Sequence, residues 1–182
     1  TIRVGTSGSF YIAEPFPMVA VFDEYGWRED VVTSGLDYAY TESALMAVNL
    51  RAPSGVGTWF TGAVKSAQDD GAGRTTYTVV TGPMRNFVVI QAQGWGTLDI
   101  PGGPVPVRVL YNGNQEDARQ IGTIAKDNLA WFDANLGYYP YAEFDVVAMS
   151  FPSGGEEYPS LVFVNNDPAR GPVYWRWITA HE

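Results

Sequence analysis

An α+β fold is predicted for this chain, with antiparallel strands over roughly its first hundred residues and a strand, helix and strand series after them. Three observations carry the prediction. Short apolar stretches broken by glycine and proline recur from Met18 to about Leu98. A break follows at Pro101-Gly102-Gly103-Pro104, too rich in proline and glycine to continue a regular element. Beyond it, Ala118, Ile121, Ala125, Leu129, Phe132 and Leu136 recur at intervals of three and four, which gives a helix one apolar face.

Met18, Ala20 and Phe22 alternate with Val19 and Val21, and Asp23-Glu24-Tyr25-Gly26 reads as a turn, with a loop around Gly35 after it. Ala44, Met46, Val48 and Leu50 take every second position, the pattern of a half-buried strand, and Pro53-Ser54-Gly55 ends it. Thr58 to Val64 and Thr75 to Thr81 flank Asp69-Asp70-Gly71-Ala72-Gly73, a hairpin whose glycines allow positive φ in the turn. Phe87, Val89 and Gln91 continue a further strand. Short strands with turn signals between them indicate an antiparallel sandwich, or part of one.

Composition shifts at Gly94-Trp95-Gly96 and again at Pro101 to Pro104, so a domain boundary is placed there, dividing residues 1–100 from 101–182. Val105, Val107, Val109 and Tyr111 alternate as a strand. Asn114, with Asp117 three residues later, resembles a capping box for a helix from about Gln115 to Leu136, and Gly137 is placed to stop that helix in a left-handed conformation. The helix face is expected to cover a sheet containing Val105 to Tyr111 and Phe144 to Phe151. Leu161 to Val164 forms another strand, and Pro172, tolerated in a first turn, opens a last helix that runs to Glu182.

The 182 residues are 46% hydrophobic, ample for a packed core, with 17% charged and 14% aromatic residues. A net charge of −9 with eleven scattered basic residues excludes the clustered cations that nucleic acid or an anionic membrane would require. No uninterrupted apolar run approaches the ~20 residues of a membrane span. Without cysteine there is no disulfide and no thiolate metal site, so a zinc ion would need imidazole and carboxylate ligands. Gly94-Trp95-Gly96 lacks the further glycine of a dinucleotide loop, and no spacing argues for a glycosidase carboxylate pair.

Two stretches carry chemistry. Gly154-Gly155-Glu156-Glu157-Tyr158-Pro159 places two acids beside two glycines, which reads either as an exposed turn or as a strand that a second backbone can approach. His181-Glu182 is how the helical H-E-x-x-H motif begins, in which two imidazoles one turn apart hold zinc and the glutamate acts as base. Alone, the pair is also ordinary surface.

Tyr139-Pro140-Tyr141, Phe144-Asp145-Val146-Val147, Phe151 to Pro159, Leu161 to Val164 and the closing His181-Glu182, taken in order, resemble the aminopeptidase N family of gluzincin metallopeptidases. Members carry a G-x-M-E-N or G-G-M-E-Y-P stretch on an edge strand of the cleft, and the zinc helix follows it. Weaker likeness extends back to Phe10 through Phe16-Pro17-Met18, Asp23 to Trp27 and Phe60-Thr61-Gly62. Glu156 departs from the family's methionine, and Tyr158 from the asparagine of many members. The resemblance implies the end of a β-sandwich domain followed by the first half of a thermolysin-like catalytic domain.

It also implies residue roles. His181 would be a zinc ligand, Glu182 would polarise the metal-bound water, and Glu157 would bind the free α-amine of a peptide substrate. Gly154 and Gly155 would admit the substrate backbone. On this reading the chain is a fragment of a peptidase and is inactive by itself, since one histidine does not hold zinc. Two other readings stand beside it: a non-catalytic β-rich module that binds protein or glycan through its Gly-Gly-Glu-Glu loop and aromatic surface, and a family member that has lost its metal.

Overall fold

The computed structural model describes residues 2–4, 9–29 and 40–182; the loop expected around Gly35 lies outside them. Among the described residues the fold is α+β, with several antiparallel sheets, one mixed sheet and two helices. The strands are, in chain order, β1 (Ile2–Val4), β2 (Phe10–Ala13), β3 (Phe22–Asp23), β4 (Gly26–Trp27), β5 (Ala47–Pro53), β6 (Gly57–Phe60), β7 (Ala63–Asp69), β8 (Arg74–Val80) and β9 (Val88–Ala92). β10 (Gly96–Ile100) and β11 (Val107–Tyr111) come next, then helix α1 (Gln115–Leu136). β12 (Phe144–Met149), β13 (Gly155–Tyr158), β14 (Leu161–Asn165) and helix α2 (Gly171–His181) complete the chain.

The elements stack in layers. A three-stranded sheet, β5-β8-β7, packs on a four-stranded sheet, β1-β2-β9-β6, through Phe60, Val79, Phe87 and Val89. The opposite face of the four-stranded sheet supplies Tyr11, Ala13, Val88 and Ile90. These meet Leu110, Val147, Met149, Leu161 and Phe163 of the mixed sheet β10-β11-β12-β14-β13. α1 and α2 cover the far side of that sheet through Val109, Val146, Ala148, Val162 and Val164. β9 and β14 are buried along their whole length, because each lies between two layers and both sides of its pleat must be apolar.

Asn114 caps α1 as expected, its side chain accepting from the backbone N–H groups of Glu116 and Asp117, two acids that complement the positive end of the helix. Ala118, Ile121, Ala125 and Leu129 are buried on the sheet, but Phe132 is 39% and Leu136 76% exposed. The expected six-residue face therefore ends at Leu129, where the helix has run past the sheet. Gly122 brings the helix close: a Cβ there would lie 2.4 Å from Val109 and 2.7 Å from Ile100. Gly137 does have positive φ, but with φ 125° and ψ 161° it is not the left-handed cap expected.

Other expectations shift in detail. Thr58 to Val64 is not one strand, for Gly62, at φ 91°, divides β6 in the four-stranded sheet from β7 in the three-stranded sheet. The hairpin over Asp69 to Gly73 does form, joining β7 to β8. Only Phe22 of the Met18 to Phe22 run enters a strand. Gly96 to Ile100, just ahead of Pro101, forms β10 and pairs with β11 in the mixed sheet. No helix among the described residues is long and apolar enough to cross a membrane.

Between the four-stranded and mixed sheets lies one ion pair. Arg108 and Asp145 are direct neighbours in the parallel β11–β12 pairing, and the guanidinium donates to both carboxylate oxygens at 3.0 and 2.7 Å. Burial pushes the Asp145 carboxyl up to about 6, against the lowering effect of Arg108 and with a smaller raise from Glu143. A raised folded-state value favours the protonated carboxyl, so this contribution to stability is present in acid and is lost as pH rises through about 6. Arg108→Met, which strands the carboxylate, is expected to cost about 3 kcal/mol near neutral pH. Urea unfolding of that variant should show the deficit shrinking as pH falls toward about 6, because without the lowering effect of Arg108 its Asp145 takes up a proton at higher pH than the parent's. A second outcome concerns Tyr139, whose hydroxyl is buried without a hydrogen-bond partner. Tyr139→Phe should raise stability by about 1 kcal/mol, read from the same unfolding curves.

Candidate functional site

The Gly-Gly-Glu-Glu stretch is not an exposed turn. Gly154 leads into β13, which pairs with β14 alone and so forms an edge of the mixed sheet. Several bonds fix where it starts. Gly154 N donates to Phe151 O at 3.1 Å, Gly154 O accepts from Asn165 N at 2.7 Å, and the buried Asn165 amide donates to Phe151 O at 2.9 Å. Gly154 has φ 103°, and a Cβ on it would lie 3.0 Å from the Tyr174 hydroxyl, so both backbone angle and space call for glycine. Pro159-Ser160 turns the chain into β14 with Ser160 at φ 63°, which fits a type II turn with proline in its usual place.

The pleat then divides the side chains. Glu156 lies opposite Phe163 and faces the four-stranded sheet, while Glu157 lies opposite Val162 and faces α2. Glu156 is held by two phenols: Tyr11 donates to its Oε2 at 2.6 Å and Tyr158 to its Oε1 at 2.7 Å. The position where the resembled family has methionine is thus filled by a hydrogen-bonded carboxylate. Glu157, by contrast, is exposed.

α2 brings the other predicted residues to the same place. Pro172 sits in its first turn, Trp175, Ile178 and Thr179 are buried, and Glu182 N donates to Ile178 O at 3.0 Å. Continuing that buried stripe, Glu182 lays its carboxyl on the strand. A Cβ on Gly155 would stand 2.1 Å from Glu182 Oε1, a space that only glycine leaves open unless the carboxyl moves. Burial first, then a hydrogen bond and charge repulsion from Glu157 with a smaller repulsion from Glu156, push the Glu182 carboxyl up to about 7. His181 is exposed, its ring stacked on Trp177 at 5.7 Å between centroids and 18° between planes.

Gly154, Gly155, Glu157 and Glu182 therefore converge at one strand edge, with His181 on the adjoining helix end. Two carboxyl groups there can bind an ammonium, and Glu182 can take or give a proton near neutrality. The described residues contain no group of three or more metal-binding side chains, so they do not by themselves make a zinc site. Sequence reasoning missed Tyr11 and Tyr174. Neither stands in a motif, and their contacts with Glu156 and Gly154 exist only once separate elements pack.

No protein-family model matches the sequence, and no curated protein matches it. Among solved structures, that of Legionella pneumophila aminopeptidase A in complex with aspartic acid is similar, with a TM-score of 0.70 and 12% identity. The likeness covers 100% of this chain and 22% of that one, so the chain spans less than a quarter of the length of the aminopeptidase it resembles. At that identity the likeness is one of fold alone.

Proposed function

We propose that this chain is part of a zinc-dependent metallopeptidase, an aminopeptidase that hydrolyses peptide bonds at free amino termini. In this reading residues 1–100 belong to the later part of a β-sandwich domain and residues 101–182 open a thermolysin-like catalytic domain, with β10 reaching across to the second domain's sheet. The observation that carries it is the placement of Glu157: a carboxylate exposed on an open edge strand, two residues beyond a glycine over which Glu182 lies.

The edge supplies binding. A substrate in extended form adds to the free side of β13 through main-chain hydrogen bonds, and Gly154 and Gly155 carry no side chains to obstruct it. Glu157 then accepts from the substrate ammonium, a charge-assisted contact that an internal peptide nitrogen does not offer. Glu182 lies beside that contact with a carboxyl poised near neutral pH, suited to proton transfer. His181 would serve as one zinc ligand, with the remaining ligands drawn from elsewhere in the protein. The non-catalytic binding reading rests on a different observation, the exposed aromatic hairpin of Phe22, Tyr25 and Trp27.

Two measurements test the proposal. In the whole protein, Glu157→Gln should raise KM for the fluorogenic amide of alanine by about tenfold or more, and the N-acetylated amide should resist hydrolysis. Cleavage of both amides alike would remove Glu157 as the amine anchor. The 182-residue chain by itself should show neither turnover nor micromolar zinc binding by calorimetry, because it offers one imidazole. A longer version that stayed metal-free and inactive would favour the binding module or a relative without its metal.

A further inference from the structure

β13 is four residues long and bonded to one neighbour, so its pairing with β14 fixes its position along the sheet but leaves its tilt to side-chain contacts. On the α2 face its contacts are with Glu182, which rests on Gly155 and shares a hydrogen bond with the exposed Glu157. A second restraint, from a different layer, lies on the opposite face. Tyr11 and Tyr158 occupy both oxygens of Glu156, with O–H···O distances of 2.6 and 2.7 Å in the range of charge-assisted bonds. Tyr11 is itself well fixed. It is 4% exposed in β2, pairs with Ile90 of β9, and its ring lies 4.6 Å from that of Phe163, the residue opposite Glu156.

We propose that Tyr11, from the four-stranded sheet, is a positioning residue for the candidate cleft: by anchoring Glu156 it sets the tilt of β13 and so holds Glu157 where a substrate amine is bound. The assignment rests on the reading of Glu157 as the amine anchor. Glu156 and Glu157 are consecutive in one strand and point to opposite faces, so a roll of the strand that frees the first swings the second. Methionine at position 156 would leave the Tyr11 and Tyr158 hydroxyls without this acceptor. The two phenols and the departure from the family's residue therefore form one device, which links the first layers of the molecule to its cleft.

The variant that isolates this role is Tyr11→Phe, which keeps the ring against Phe163 and the charge of Glu156 and deletes one hydroxyl. In the whole protein, KM for the alanine amide should rise about five- to tenfold with kcat changed less than about twofold, and Tyr158→Phe should act in the same direction. The decisive readout is the double variant. If Tyr11 works through Glu157, adding Tyr11→Phe to Glu157→Gln has no further effect on KM, whereas a purely structural role gives additive losses. Amide exchange at residues 155–158 should also quicken in Tyr11→Phe while the exchange of β9 and β14 holds, which separates a loosened edge from a failure to fold. An unchanged KM or additive losses in an active protein would overturn the proposal. Wild-type protein that does not hydrolyse the amide would instead overturn the functional reading on which it rests.

Discussion

Burial of the mixed sheet on both faces is the constraint from which most of the structure follows. Along β12 and β14, Val146, Ala148, Val162 and Val164 face the helices while Val147, Met149, Leu161 and Phe163 face the four-stranded sheet. Neither side tolerates water, so a helical layer and a sheet layer are both required, and each must be anchored elsewhere in the chain. The Arg108–Asp145 pair is a polar contact inside this largely apolar seam. It stands at matched positions of adjacent parallel strands, where a slip of one residue would leave a charge buried without its partner.

The same constraint explains where the candidate site lies. A strand at the centre of such a sheet is covered on both faces and bonded along both edges, so a ligand can reach the backbone only at a border. β13 is that border on the β14 side, and α2 approaches it closely enough for Glu182 to rest on Gly155. Glycines at 154 and 155 answer two separate demands there, a positive φ and a missing side chain. The burial that builds the sheet also withdraws Glu182 partly from water, which together with Glu157 raises its proton affinity.

Much of this was legible in the sequence where pattern is local. The limits and N-cap of α1 followed from Asn114 and the three-four spacing, whereas the edge position of Gly155 to Tyr158 was implied only by the family resemblance, the residues themselves reading equally as an exposed turn. What was not legible depended on where layers end or meet. Phe132 and Leu136 keep the helical rhythm but extend past the sheet, and periodicity contains no information about the length of the surface it will cover. Thr58 to Val64 reads as one strand because a change of sheet at Gly62 alters no apolar spacing. The partners of Glu156 were hidden for the same reason, since one lies two residues away and the other in the first strands of the chain.

The contact between Tyr11 and Glu156 joins residues 145 positions apart. Closing so long a loop is entropically slow, and the bond gains strength only after both sheets have excluded water from between them. The strand edge therefore reaches its final arrangement only when the two sheets have come together. A site finished in that order is unformed for as long as the two sheets are apart.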